Sequence, residues 1–134
     1  MKLKDLFEEK SVKDLGDLVD RSGEHDFHCS YKDIESLEGA PSIVNGSVIC
    51  FQNKLKSLHN IHKIFKHISG GAEFRKNPIK SHILGLMMID GLRYVTLDSW
   101  ELQSIINKHL DGDRDVFACQ EELIGAGFEE FAQL

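Results

Sequence analysis

Apolar and polar residues follow one another along this chain in a phrase that returns four times. It first reads Phe27-x-Cys29-x-x-Lys32-x-Ile34-x-x-Leu37, then Val48-x-Cys50-x-x-Asn53-x-Leu55-x-x-Leu58. A third copy is Ala72-x-Phe74-x-x-Asn77-x-Ile79, and a weaker fourth is Val95-x-Leu97-x-x-Trp100-x-Leu102-x-x-Ile105. The second apolar residues, Cys29, Cys50, Phe74 and Leu97, are spaced by 21, 24 and 23 residues. Two apolar residues one position apart place both side chains on one face of a short strand. The pattern therefore predicts strands over 26–30, 47–51, 72–75 and 93–97.

A fixed period of roughly 20–29 residues with L-x-L-x-x-N-x-L lettering is the signature of a leucine-rich-repeat solenoid. An Asn three residues after the second apolar position can stay inside if its amide bonds to backbone groups of the turn. One such coil cannot bury its own apolar edge, so neighbours must stack and the ends must be capped. Lys32 and Trp100 stand where the middle copies have Asn, which marks the first and fourth copies as terminal. The expected fold is α/β (α+β), a single domain holding a short solenoid of about three to four coils. An N-terminal helical cap spans 1–22, repeat coils 23–98 and a C-terminal helical cap 99–134.

Between the copies the pattern changes period. Residues 3–20 carry a thin helical stripe of Leu3, Leu6, Phe7, Val12, Leu15, Leu18 and Val19 that loses phase near Lys10. Two short helices or one kinked helix fit it. The composition of 37–41 is that of a turn. Residues 59–68 fit a helix with Ile61, Ile64, Phe65 and Ile68 on one face, and the apolar run 82–89 fits a buried helix ended by Gly91. Pro78, with no amide donor, keeps the third strand short. Asp98 and Ser99 are N-cap candidates for a helix through His109. A further helix over 114–124 has Val116, Cys119 and Leu123 inward, and 128–131 adds a last turn.

Composition changes this picture little. With 134 residues, 41% hydrophobic and 28% charged, the chain is large enough for one core. No apolar run approaches the roughly 20 residues that span a bilayer, and the start Met1-Lys2-Leu3-Lys4-Asp5 lacks a signal core. No membrane partner is expected. Cys29 and Cys50 at inward positions behave as small hydrophobes, and with Cys119 in a helix all three fit a reducing cytoplasm. Charge is more informative. Residues 5–38 are net −7, residues 54–80 net +6 and residues 111–134 net −6.

The stretch "DFHCSYKDIESLEGAP…GSVICFQNKLKSL" resembles degenerate leucine-rich-repeat-like proteins of tailed bacteriophages and some large DNA viruses, which carry F-x-C-x-x-N-x-L-x-S-L-E-G-A-P units. The later "NPIKSHILGLMMIDGLRYVTLD", "IINKHL" and "DVFACQEELIGAGFEEFAQL" are similar to the tails of such proteins. The resemblance covers roughly 23–134 and implies architecture and a phage origin. Two departures stand out. Lys32 replaces the Asn, and the basic, His-rich "SLHNIHKIFKHISGG" replaces a second "SLEGAP" turn.

The residues point away from catalysis. There is no Cys-x-x-Cys, His-Glu-x-x-His, P-loop, Gly-x-Gly-x-x-Gly or Gly-x-Ser-x-Gly motif. His25, His28, His59, His62 and His67 fit exposed positions better than a metal site, and helix burial explains Cys119 better than pairing with His109. Neither a catalytic residue, a metal nor a cofactor is expected. The expected role is to bind and alter a host protein, in host takeover or anti-defence, in the host cytoplasm. Solenoids bind through the surface built by their stacked strands. Its outward positions give His28, Ile49, Phe51, Glu73, Arg75 and Tyr94 as partner-binding residues, with Ile49 and Phe51 as an apolar pair. The competing expectation is that helices or a second copy cover that pair. One alternative is a nucleic-acid or anion binder using Lys54, Lys56, His59, His62, Lys63, Lys66 and Lys76, opposed by the sequence pI near 5.6. Another is a DNA-mimic inhibitor using the acidic ends.

Overall fold

The computed structural model describes residues 25–134. The helical cap expected over 1–22 lies outside the described residues. The rest is mixed α/β, with a four-stranded parallel sheet, a two-stranded parallel sheet and, among the described residues, three α-helices. In chain order the elements are β1 (Phe27–His28), β2 (Ile43–Val44), β3 (Val48–Ile49), α1 (Ile61–Ile64), β4 (His67–Ile68) and β5 (Gly71–Glu73). A 3-10 helix (Leu84–Met88), β6 (Tyr94–Thr96), α2 (Trp100–Asp111) and α3 (Val116–Gly125) follow.

The repeated phrase fixes the main sheet. Its order is β1-β3-β5-β6, and Phe27, Val48, Ala72 and Val95 are register partners in succession. All four are buried, as are Cys29, Cys50, Phe74 and Leu97 two residues on. Backbone bonds extend the register past the strands: Cys29 N–H donates to Ile49 O, Cys50 N–H to Glu73 O and Phe74 N–H to Thr96 O. Each strand is thus paired with the strand one repeat later, and the side chains of the phrase form one continuous core.

The chain turns away from the sheet at the polar position. Asn53 is 6% exposed, and its Oδ1 accepts from Lys32 N–H at 2.9 Å and Ile34 N–H at 3.1 Å. Its Nδ2 donates to Cys29 O at 2.8 Å and, less closely, to Cys50 O and Phe51 O. Asn77 repeats the arrangement, accepting from Leu55 N–H and donating to Cys50 O, Phe74 O and Arg75 O. The first repeat, with Lys32 in place of Asn, therefore takes its amide from the second. Just before each of these positions the backbone is left-handed, at Tyr31 (φ 60°), Gln52 (φ 50°) and Lys76 (φ 61°). Non-glycine residues adopt this conformation at a cost of roughly 1–2 kcal/mol each. It aims the N–H of Tyr31 at Phe51 O and that of Gln52 at Arg75 O. Lys76 points its N–H at the fourth repeat in the same way, but there a side chain, Asp98 Oδ1, accepts it at 2.9 Å in place of a backbone oxygen.

Three expectations need correction. The helix over 59–68 stops at Ile64, because Phe65 turns extended (φ −102°, ψ 113°) and His67–Ile68 pairs in parallel with Ile43–Val44. Ile61, Phe65 and Ile68 are still buried, so the apolar spacing that fits a helix here serves one short turn and a strand. The buried helix in the run 82–89 is shorter than the apolar span, a five-residue 3-10 helix over Leu84–Met88. The thiols of Cys29 and Cys50 are not free: register neighbours with Cα atoms 4.9 Å apart, they form a disulfide inside the core. The expectation of a reducing compartment loses the support that it drew from three free thiols.

The C-terminal helices close the sheet. Ser99 Oγ caps α2 by accepting Leu102 N–H, and Asp115 caps α3 by accepting from Phe117 and Ala118. The outer edge of β6 meets side chains of α2 where a fifth strand would lie. Asn107 both accepts Val95 N–H and donates to Val95 O, and Gln103 accepts Leu97 N–H. The edge is thereby covered, as an exposed row of backbone groups must be to avoid pairing with another chain.

Two outcomes are expected. Denatured without reductant, the chain should show one reactive thiol, Cys119, and after reduction three. Native Cys119 should resist alkylation even near about pH 8.5, since burial, with Glu122 beside it, pushes its thiol up to about 11. Reduction of the 21-residue link should lower stability by about 3 kcal/mol. Three reactive thiols in the unreduced chain would refute the pairing. Asn53→Ala, which strands the buried Ile34 N–H, the part-buried Lys32 N–H and the buried Cys29 carbonyl, should cost roughly 3 kcal/mol in a urea titration.

Candidate interaction face

Strand alternation gives the main sheet two unlike sides. One side is the core. On the other, side chains of successive repeats stand in three rows. The middle row is His28, Ile49, Glu73 and Thr96, each the register partner of the next. The row after it holds Ser30, Phe51 and Arg75, with Ser30 Oγ accepting Phe51 N–H at 2.8 Å. The row before it holds Asp26, Ser47, Gly71 and Tyr94. Asp26 Oδ1 accepts Ser47 N–H at 2.7 Å, and Ser47 Oγ accepts Gly71 N–H at 3.0 Å.

The six residues expected to bind a partner are brought together on this side. His28, Arg75 and Tyr94 are exposed, and Ile49, Phe51 and Glu73 are half-buried among their neighbours. The apolar pair is therefore accessible at its rim rather than fully exposed. Gly71, a position outside the expected third strand, controls the far corner. A Cβ there would lie 2.2 Å from the Tyr94 ring, so the ring rests flat on glycine backbone. Thr96 ends the middle row with a shielded hydroxyl that has no hydrogen-bond partner among the described residues. Neither Glu73 nor Arg75 forms an ion pair with a described residue, so both charges face outward uncommitted.

The alternative basic set is interleaved with acids, although His59, His62, Lys63 and Lys66 stay close together. Stacking places residues of the acidic first repeat against those of the basic second. Lys54 Nζ lies 3.6 Å from Asp33, and Lys54 and Lys56 share a recess of about 270 Å³ with Glu35. His59 and Lys63 border a cavity of about 500 Å³ whose other rim carries Glu35 and Glu38, over a floor of Leu37, Leu55, Leu58 and Ile61. Lys66 lies at the start of β4, where its N–H donates to Ser42 O, and Lys76 stands beside Asp98. His62 is held below the ordinary histidine range, by burial first and then by Lys63, Lys66 and His59, so it adds no charge at neutral pH. Lys54, Lys56, His59 and Lys63 thus share their surroundings with carboxylates of the first repeat.

The other titratable groups have structural roles. His67 Nδ1 meets Asp90 Oδ2 at 2.7 Å, joining neighbouring repeats, and His59 stacks edge-on against His82 with ring centres 4.9 Å apart. His109 does not face a thiolate. Its Nε2 lies 2.9 Å from Glu122 Oε1, and Lys108 Nζ donates to Glu122 Oε2 at 2.6 Å. Among the described residues no group of three His, Cys, Asp or Glu is arranged to hold a metal ion. Among them, too, no helix is long and apolar enough to cross a membrane. No protein-family model, curated protein or solved structure matches the chain.

The Glu122 junction between α2 and α3 has a measurable pH signature. Hydrogen bonds from Lys108 and then His109 hold its carboxyl below the ordinary glutamate range. A carboxylate with a depressed folded pKa stabilises fully above its unfolded pKa, and loses that contribution as pH falls through the folded value. Stability should therefore decline below about pH 4.3. Glu122→Gln should lower it at neutral pH by no more than about 1 kcal/mol, given the exposed Lys108, and flatten that part of the acid limb. An acid limb with unchanged slope would show that the junction does not contribute.

Proposed function

We propose that this chain is a short leucine-rich-repeat-like stack that acts without catalysis, as a protein-binding module. The observation that carries this reading is the contiguous outward block of His28, Ile49, Phe51, Glu73, Arg75 and Tyr94. It combines an apolar centre, uncommitted charges of both signs and an aromatic corner, the composition of a protein-recognition patch. The four in-register copies and the Asn53 and Asn77 amides support the repeat reading. The lettering of "FHCSYKDIESLEGAP" supports a phage-encoded protein that binds and modulates a host protein in the host cytoplasm. The interleaving of Lys54 and Lys56 with Asp33 and Glu35 weighs against a nucleic-acid binder.

The reading is tested by replacing Ile49 and Phe51 together with Ser and comparing capture of proteins from a bacterial lysate by mass spectrometry, with nuclease present. The variant should lose the stoichiometric partner while its stability stays within about 1 kcal/mol of the parent. Unchanged capture by a folded variant would remove this face from consideration. Partners that vanish on nuclease treatment of the parent would favour the basic set instead.

A further inference from the structure

At one end of the outward rows, the turns that lead into β3, β5 and β6 enclose a recess of about 300 Å³. We propose that it is an oxyanion-binding site, taking a carboxylate or phosphate group, and that Arg93 is its anchor. The sheet-face reading supplies the route by which a partner's anion reaches it, since Ser47 and Tyr94 belong to both the recess and the first outward row.

Charge is the first argument. The chain is net −6, yet among the described residues no carboxylate lines the recess. Asp26, the acid of the adjoining row, accepts Ser47 N–H, and Asp90, on the turn before Arg93, faces His67. Arg93 is exposed, and its guanidinium pairs with no described residue. Its backbone N–H is fixed to Gly70 O at 3.0 Å, so the side chain starts from a rigid point. A guanidinium presents donors in a planar fork that matches a carboxylate or phosphate edge.

Shape is the second argument. Gly70 N–H donates to Gly46 O at 2.8 Å, which holds two of the turns together. A Cβ on Gly70 would come within 2.5 Å of Ser47 Oγ and 2.9 Å of Gly46 O, so the turns approach to backbone distance and leave the recess unfilled. The Tyr94 ring, laid on Gly71, forms a stiff wall, while Asn45 and Ser69 add an amide and a hydroxyl as neutral donors. Among the described residues, a pocket lined by polar groups and an unpaired guanidinium, with the nearest carboxylate, Asp26, engaged by Ser47 N–H, is suited to a small anion.

The test is a ¹⁵N–¹H NMR titration of the full chain with inorganic phosphate and separately with acetate, at constant ionic strength. Saturable shifts are expected at Ser47, Ser69, Gly70 and Arg93 with at least one of the two. The anion that binds more tightly identifies the source as a phosphate or a carboxylate. Arg93→Ala should weaken binding roughly tenfold, as for loss of one charge-assisted pair. Arg93→Lys should retain part of it, and Lys80→Ala, which removes an exposed cation outside the recess and the sheet face, should not change it. No saturable shift with either anion, or equal affinity in Arg93→Ala, overturns the site. Ile49→Ser with Phe51→Ser should leave anion binding intact, which separates failure of the recess from failure of the protein-binding face. If anion binding depends on Arg93 but capture of the protein partner does not, the link between recess and face is overturned.

Discussion

A carboxamide without solvent has to find both its acceptor and its donors, and in this molecule that requirement holds the repeats in register. Asn53 and Asn77 each bond to backbone of their own turn and of the repeat before. A buried amide left unmatched would cost on the order of 1–3 kcal/mol per group. A slip of one residue between repeats would unmatch several at once and would also turn the alternating side chains inside out. The strands themselves are two or three residues long. Ladders this short have little holding power alone. The amides at the corners, the packed phrase beneath them and the Cys29–Cys50 link together do what longer strands do elsewhere.

That dependence explains which parts of the fold were legible in the sequence. The phrase spacing revealed the four in-register strands, since an apolar-x-apolar pair returning every 21 to 24 residues, in the middle copies followed by Asn, has few other uses. Ser99 was legible as a cap because a hydroxyl before a helical stripe has a specific bond to make. The second sheet was not legible. Ile43–Val44 and His67–Ile68 are too short to display a period of two, and Ile61, Ile64, Phe65 and Ile68 match a helix template equally well. The left-handed turns at Tyr31, Gln52 and Lys76 carried no glycine to announce them. The disulfide did leave a trace. Cys29 and Cys50 are separated by one full repeat, which made them neighbours as soon as the register was accepted, and reading each as a lone hydrophobe missed this.

Of the candidate site, the outward residues followed from alternation alone, because side-chain direction in a strand depends only on parity. Their closeness to one another depended on the stacking, which the period supplied. Gly71 and Arg93 were missed for opposite reasons. Glycine shows no pattern of its own until the ring lying on it is seen, and an isolated arginine beside a strand has no distinguishing spacing. The linear charge blocks misled in a third way. Summed along the chain, residues 54–80 form a basic segment of net +6. Folding lays them beside residues about one period away, and Asp33 and Glu35 fall next to Lys54 and Lys56. In a stacked architecture, the relevant neighbour of a charge is the residue one repeat removed, more than the residue beside it in sequence.

Closure of the β6 edge by Asn107 and Gln103 separates the interior of the stack from its end. The second and third repeats are interchangeable in kind: each receives a strand on both sides and each supplies an amide to its predecessor. The fourth strand is not, because its outer backbone groups are already engaged by α2. The architecture therefore has a defined terminus and an extensible middle. A further copy placed between Asn53 and Asn77 would leave the contacts of α2 with β6 unchanged.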